Sequence, residues 1–417
     1  MDHPFLPWVA AGLFALAVLH TFSTKFFDYL AHTQPRHAGI WHLLGEVEVV
    51  FGLWAMVLAT AMFIMVGKTP TLDYLESCNF TEPLFIFAIM VVAGTRPILQ
   101  FCGWLVQKVA RLVPVPTAIG NYFLLLSVVP MLGSYITEPA AMTLAALMLR
   151  DSVFSAGVSE RLKYVTLGVL FVNVSIGGTL THFAAPPVLM VASTWQWNLP
   201  FMFQTFGWKA AIAAVVNAVI LTFLVRRELG SLREPPAVRM TVPLLMVIVH
   251  LAFLLAIVVF AHHPVVFIGL LLLFIGYATA YADHQDRLIL REALLVAFFL
   301  AGVVVLGGQQ AWWLQSVLMS LNADAVFYGA AAVTAITDNA ALTYLASLVP
   351  GLSDEFKVAI VAGAVTGGGL TIIANAPNPA GVSILKGQFE GGVIAAGKLL
   401  LAALPPTVIA ALCFRLL

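Results

Sequence analysis

Charge is what this chain has least of: lysine, arginine, aspartate and glutamate make up 10% of its 417 residues, against 61% apolar residues and a mean hydropathy of +0.99. Such a balance excludes an ordinary soluble globule, in which about a quarter of the residues are charged. The formal net charge is +0, so no basic surplus points to nucleic acid as a partner. Cysteine is nearly missing as well. Cys78, Cys102 and Cys413 stand apart without CxxC spacing, which argues against a disulfide framework or a thiolate metal site. No basic residue precedes the apolar run Phe5 to Phe22, so that run is expected to be a retained helix rather than a cleavable signal, and the mature chain to start where written. No nucleophile, base and orienting group stand at a recognised spacing, and an enzyme is not expected.

What the chain does have is apolar runs from Phe5 to Phe414, long enough to cross a hydrocarbon layer of about 30 Å as helices of about 20 residues. Backbone away from water must bond internally, and the short alternating strands of an outer-membrane barrel are missing. The fold class is therefore all-α, a polytopic membrane protein whose surroundings are the lipid bilayer.

The few charges set the topology. Lys25, Arg36, Lys108, Arg111, Arg150, Arg161, Lys163, Arg226, Arg227, Arg233, Arg239, Arg287, Arg291 and Lys386 fall in connections that the positive-inside rule assigns to the cytoplasm. The alternate connections carry only Lys68, Lys209, Lys357 and Arg415, together with Trp195, Trp197 and Trp208. Both termini then lie on the outer side. Lys108 and Arg111 share a side with Arg150 and Arg161 although mostly apolar sequence separates them, so residues 117 to 149 are expected to enter and return as a re-entrant hairpin. Residues 324 to 349 form a second hairpin with both ends on the outer side. These elements amount to an inverted-topology repeat of about ten transmembrane helices, two re-entrant hairpins and two broken helices. The polar loop Arg226 to Arg239, with Pro235-Pro236, joins the halves.

The repeat is also visible in the letters. Ile136-Thr137-Glu138-Pro139-Ala140-Ala141 returns as Ile336-Thr337-Asp338-Asn339-Ala340-Ala341, and Gly177-Gly178-Thr179-Leu180-Thr181-His182 returns as Gly367-Gly368-Gly369-Leu370-Thr371-Ile372. The glycines, with Pro186-Pro187 in one copy and Pro377 and Pro379 in the other, are expected to unwind helices over residues 163–194 and 358–385. Unwinding exposes carbonyls at one half-helix end and N–H groups at the other, the signature of a secondary-transporter site.

Glu138 and Asp338 stand at equivalent hairpin tips in apolar sequence. A carboxylate there costs roughly 2.5 to 3.5 kcal/mol, which makes it a functional candidate. Burial favours its protonated form and a bound cation its ionised form, a competition sufficient for antiport. The alternative role is capping of the following helix, and the two can coexist. Asn339, Asn375 and Asn378 offer amide oxygens and Thr137, Thr181, Thr337 and Thr371 hydroxyls, the ligands that a hard cation such as sodium prefers; the threonines could equally bond back to their own helices. His182 is either a proton carrier or a hydrogen-bonded structural group, and both readings are open for Asn173. Arg96 is a candidate anion contact, or a partner for Glu46 or Glu48 if these lie inside the bundle.

The order hairpin, broken helix, hairpin, broken helix resembles the ion transporter superfamily, which includes divalent-anion/sodium symporters, arsenite exporters and sodium/proton antiporters. Ile136-Thr137-Glu138-Pro139-Ala140-Ala141 and Thr337-Asp338-Asn339-Ala340 look most like the sodium/proton antiporter members. The resemblance implies a homodimer in an inner membrane, working as an elevator. Its scaffold would be residues 1–112 and 240–312, its transport part 113–226 and 313–417, with 227–239 as cytoplasmic linker. Arg96, Glu46 and Glu48 would then be scaffold, with a weaker claim to be ligands. The symporters' Ser-Asn-Thr hairpin tips are absent, which favours sodium/proton exchange, with sodium on Asp338, Asn339 and Asn375, over the alternative of a sodium- or proton-coupled anion transporter. No resident cofactor is implied.

Overall fold

The computed structural model describes residues 3–232, 238 and 240–417; part of the expected Arg226 to Arg239 junction, including Pro235-Pro236, lies outside them. The described residues are helical from end to end, with no strand among them. Five helices are long and apolar enough to cross a membrane: Val47–Val66, Glu160–Leu180, Leu199–Leu229, Leu290–Gly307 and Ala396–Leu416. Two bent pairs, Lys68–Ser77 with Thr81–Ala93 and Thr117–Leu126 with Val128–Ile136, raise the number to 7 if each is one span. Leu6–Phe22, Leu244–Val259 and Pro264–Ala280 are apolar but shorter.

The duplicated elements fold alike. Glu160–Gly177 ends at the first glycine pair, the chain runs through a short 3-10 turn into extended backbone, and Pro186–Ala192 resumes as helix. Asp354–Gly367 ends at the second glycine run, and Asn378–Leu385 resumes. Prolines open both second halves, where the missing N–H costs nothing. The glycines serve close approach: a Cβ on Gly177 would strike the backbone of Pro130, and one on Gly367 the backbone of Ala331.

Residues 324–349 fold mostly as two helices, Ala323–Thr334 and Asn339–Ser347. Residues 117–149 hold a leading arm of two helices bent by 43° at Ser127 and a trailing arm, Glu138–Ser152, that extends past residue 149. Pro130 explains the bend, because it has no N–H for the carbonyl of Leu126 one turn earlier. The Asn173 amide donates to that carbonyl at 2.7 Å, and Asn217 donates to the Asn173 Oδ1 at 2.8 Å. Asn173 is therefore a structural group here.

Packing crosses between the copies: Glu138–Ser152 packs on Asn378–Leu385, and Asn339–Ser347 packs on Pro186–Ala192. Around this pair stand Val47–Val66 and Leu290–Gly307, which cross at Gly52 and Gly302, where a Cβ on Gly302 would meet the backbone of Phe51 and Gly52. Gly302→Leu should accordingly destabilise the fold by about 1–3 kcal/mol through overpacking. The readout is folded yield by size-exclusion chromatography, and an unchanged profile would contradict the crossing.

Candidate ion-binding site

Backbone groups freed at the two breaks are satisfied first. Ser134 Oγ donates to the carbonyl of Gly177 at 2.7 Å and accepts from the N–H of Leu180 at 2.9 Å, while Thr181 Oγ1 donates to the Ser134 carbonyl at 2.7 Å. In the second copy Thr371 Oγ1 donates to the Ala335 carbonyl at 2.8 Å, one residue along from the position equivalent to Ser134. Asn378 Nδ2 donates to the carbonyls of Gly368 and Thr371, both at 2.8 Å. Thr337 bonds back to Val333 in its own helix at 2.9 Å. Four of the expected ligands, Thr181, Thr337, Thr371 and Asn378, thus hold backbone, although the buried Asn378 Oδ1 remains unpartnered.

The acids take different environments. Glu138 is fully buried at the start of its helix, and its Oε2 accepts from Asn375 Nδ2 at 3.0 Å while Oε1 has no partner. Gly178 makes room for it, since a Cβ there would collide with Glu138 Oε1. Thr137, the turn residue before it, is buried with an unpartnered Oγ1 and has φ +74°. Asp338 is half-buried and caps Asn339–Ser347: its Oδ1 accepts from the N–H groups of Ala340 at 2.8 Å and Ala341 at 3.1 Å. Capping and a ligand role remain compatible, because Oδ2 takes neither bond.

Asp338 opens onto two adjoining pockets, with Thr337 lining the first and Glu48, Ile372, Ile373 and Asn375 lining the second. Asn375 joins the acids, for its amide nitrogen holds Glu138 while its buried Oδ1 is unpartnered. Asn339 is fully buried beside Gly368, with both amide atoms unpartnered.

Three expectations are corrected. No pair joins Arg96 to Glu46 or Glu48: Arg96 bonds Thr241 at 2.9 Å and lies 3.8 Å from Asp286, while Glu46 pairs with Arg291. Glu48, given the weaker claim as scaffold, lines the Asp338 pocket, because two residues beyond the Glu46 cap the helix turns it inward. His182 lies elsewhere, in a pocket with Glu82, Ser193 and His262. Glu82 was not singled out from the sequence, although Thr81-Glu82-Pro83 repeats the triplet Thr137-Glu138-Pro139.

Residues 5–417 match the model of a protein family described as "Putative Na+/H+ antiporter". No curated protein matches the chain.

The geometry at Thr137 is testable by itself. A β-branched residue at positive φ stores about 1–3 kcal/mol of strain, and glycine there would return roughly 0.5–1 kcal/mol as chain entropy. Thr137→Gly should therefore raise the thermal unfolding midpoint in detergent. A fall in the midpoint would mean that the Thr137 side chain contributes more than its strain costs.

Proposed function

The chain belongs to this Na+/H+ antiporter family and is a multi-pass membrane transporter, and from that premise we propose that sodium and protons compete for Asp338. The observation that carries the proposal is Asn375, which holds Glu138 through its nitrogen and keeps a buried, unpartnered oxygen beside the pocket that Asp338 and Glu48 share. Sodium would take oxygens from Asp338, Asn375 and Glu48, with the unpartnered amide of Asn339 next along the chain and Glu138 holding Asn375 from behind. A hard, singly charged cation favours such a mixed carboxylate and amide set. A proton on Asp338 removes the charge that holds sodium, so occupancy by one ion excludes the other, which is the requirement for exchange.

The wider reading is an inverted-topology repeat in an inner membrane, with about ten spans in all. Residues 113–226 and 313–417 would move as an elevator against residues 1–112 and 240–312, in a homodimer with both termini outside. It is supported by the similar Thr181 and Thr371 bonds and by the exchange of packing partners between the two hairpins and the two resumed helices. Arg96 gives the anion-transport alternative no support, since its guanidinium is engaged by Thr241 and Asp286.

Asp338→Asn, purified and folded, should lose sodium-induced proton release from everted vesicles, and normal exchange in that variant would sink the assignment. Glu48→Gln should raise the sodium KM by about tenfold, the loss expected for one charge-assisted ligand. An unaltered KM would leave Glu48 out of the ion site.

A further inference from the structure

The Asp338 pocket has a counterpart among the residues of the other copy. Matching Gly94 with Gly308 aligns Glu48 with His262, Val296 with Glu82, and Phe299 with Phe85. Matching the glycine runs aligns Ile372 with His182, Ile373 with Phe183, and Pro379 with Leu189. The first member of every pair lines the Asp338 pocket, and the second member of every pair lines the His182 pocket. Two pockets are thus built at equivalent places from exchanged halves, but where one holds valine and isoleucine the other holds Glu82 and His182.

Glu82 is 7% exposed, and among the described residues no salt bridge reaches it. Its Oε1 accepts from Ser193 Oγ at 2.8 Å and from Asn79 Nδ2 at 3.3 Å. Ser193 caps the end of Pro186–Ala192 in the proposed moving part, and Glu82 belongs to Thr81–Ala93 in the proposed scaffold, so this bond fastens one part to the other. His182, in the extended stretch of the break, has a buried Nδ1 without a partner. His262 faces the same pocket from the turn before Pro264–Ala280. Tyr344, on the helix packed against Pro186–Ala192, and Cys78 and Tyr74 are other titratable groups on this side of the pocket.

We propose that the pocket of Glu82, His182 and His262 is a proton-binding site, separate from the ion site, that latches the carrier on its outer face. With the imidazoles neutral, Glu82 holds Ser193 and the pocket stays shut. A proton taken from the outer water onto His262, which lies with Glu82 in the proposed scaffold, gives an imidazolium that competes with Ser193 for the same carboxylate, and the contact between the two parts loosens. The outward direction of the pocket rests on the topology proposed above; the latch itself rests on the contacts.

The test uses the full chain in proteoliposomes with Cys78, Cys102 and Cys413 replaced by alanine and Phe183→Cys as reporter. Labelling by a membrane-impermeant maleimide from outside is followed as outer pH is lowered through the imidazole range, with rates corrected for ionisation of the thiol. Losing a hydrogen bond to a charged group shifts the open fraction by about tenfold, so labelling should quicken by about that factor, and Glu82→Gln and His262→Gln should each remove the response. Labelling that ignores outer pH, or that responds equally in the parent and in both variants, overturns the latch. In parallel, sodium-driven proton movement is recorded at fixed inner pH; its absence in the parent chain overturns the antiport reading and leaves the labelling result to decide the latch.

Discussion

Backbone that leaves a helix away from water must be paired by protein, and the rest of this structure depends on how that demand is met. Each break frees carbonyls and N–H groups in the middle of the bundle. Ser134 and Asn378 take them up, Thr181 and Thr371 bind the breaks to the carbonyls of Ser134 and Ala335, and Ser175 Oγ donates to the Val365 carbonyl at 2.7 Å to join one broken helix to the other. The glycines are the other half of the solution. A Cβ on Gly368 would collide with Ser175 and one on Gly369 with the backbone of Val172, so the two breaks can lie against each other only where side chains are missing.

The chemistry lies in the polar groups that this accounting leaves over. Glu138 Oε1, Asn375 Oδ1 and both amide atoms of Asn339 are buried with no protein partner. Each unmade hydrogen bond costs about 1–3 kcal/mol, a penalty that a packed fold retains only where something else supplies the partner for part of the time. Asn375 gives this surplus a direction. Its nitrogen is committed to Glu138, which turns its oxygen into an acceptor for whatever enters the pocket beside Asp338.

Much of this was legible in the sequence, and the limits have a physical origin. Glycine and proline act on their own stretch of backbone, so the breaks after Gly177 and Gly367 and the turns at Thr137 and Asp338 could be read from the letters. The bend at Ser127 was missed, although Pro130 marks it, because the apolar run continues through it. Ligand roles were harder. Thr181 and Asn378 have the oxygens that a cation wants, and only the neighbouring carbonyls reveal that these side chains are already engaged. The letters give Glu48 a weak claim as a ligand and His182 a place in the ion site; which pocket each enters is set by packing between segments far apart in sequence, and no local pattern records it.

The equivalence of the two pockets bears on why an exchanger would combine a repeated fold with unequal residues. Two halves that trade places give a carrier two conformations of comparable packing, and an ion biases that equilibrium only through a difference in its affinity for the two. Ligands carried wholly on the moving part would travel with the ion and supply no difference. Glu48 is not of that kind, because on the proposed division it belongs to the fixed part while Asp338 and Asn375 move. An ion between them gains a carboxylate in one conformation and loses it in the other. At the equivalent place in the second pocket stands His262, an imidazole that becomes cationic when it binds a proton, so on the proposed division the same motion that withdraws a negative ligand at one end parts Ser193 and His182 from Glu82 and His262 at the other. Exchange then needs no large change of shape at either pocket, only a fixed part whose two ends carry opposite preferences for charge.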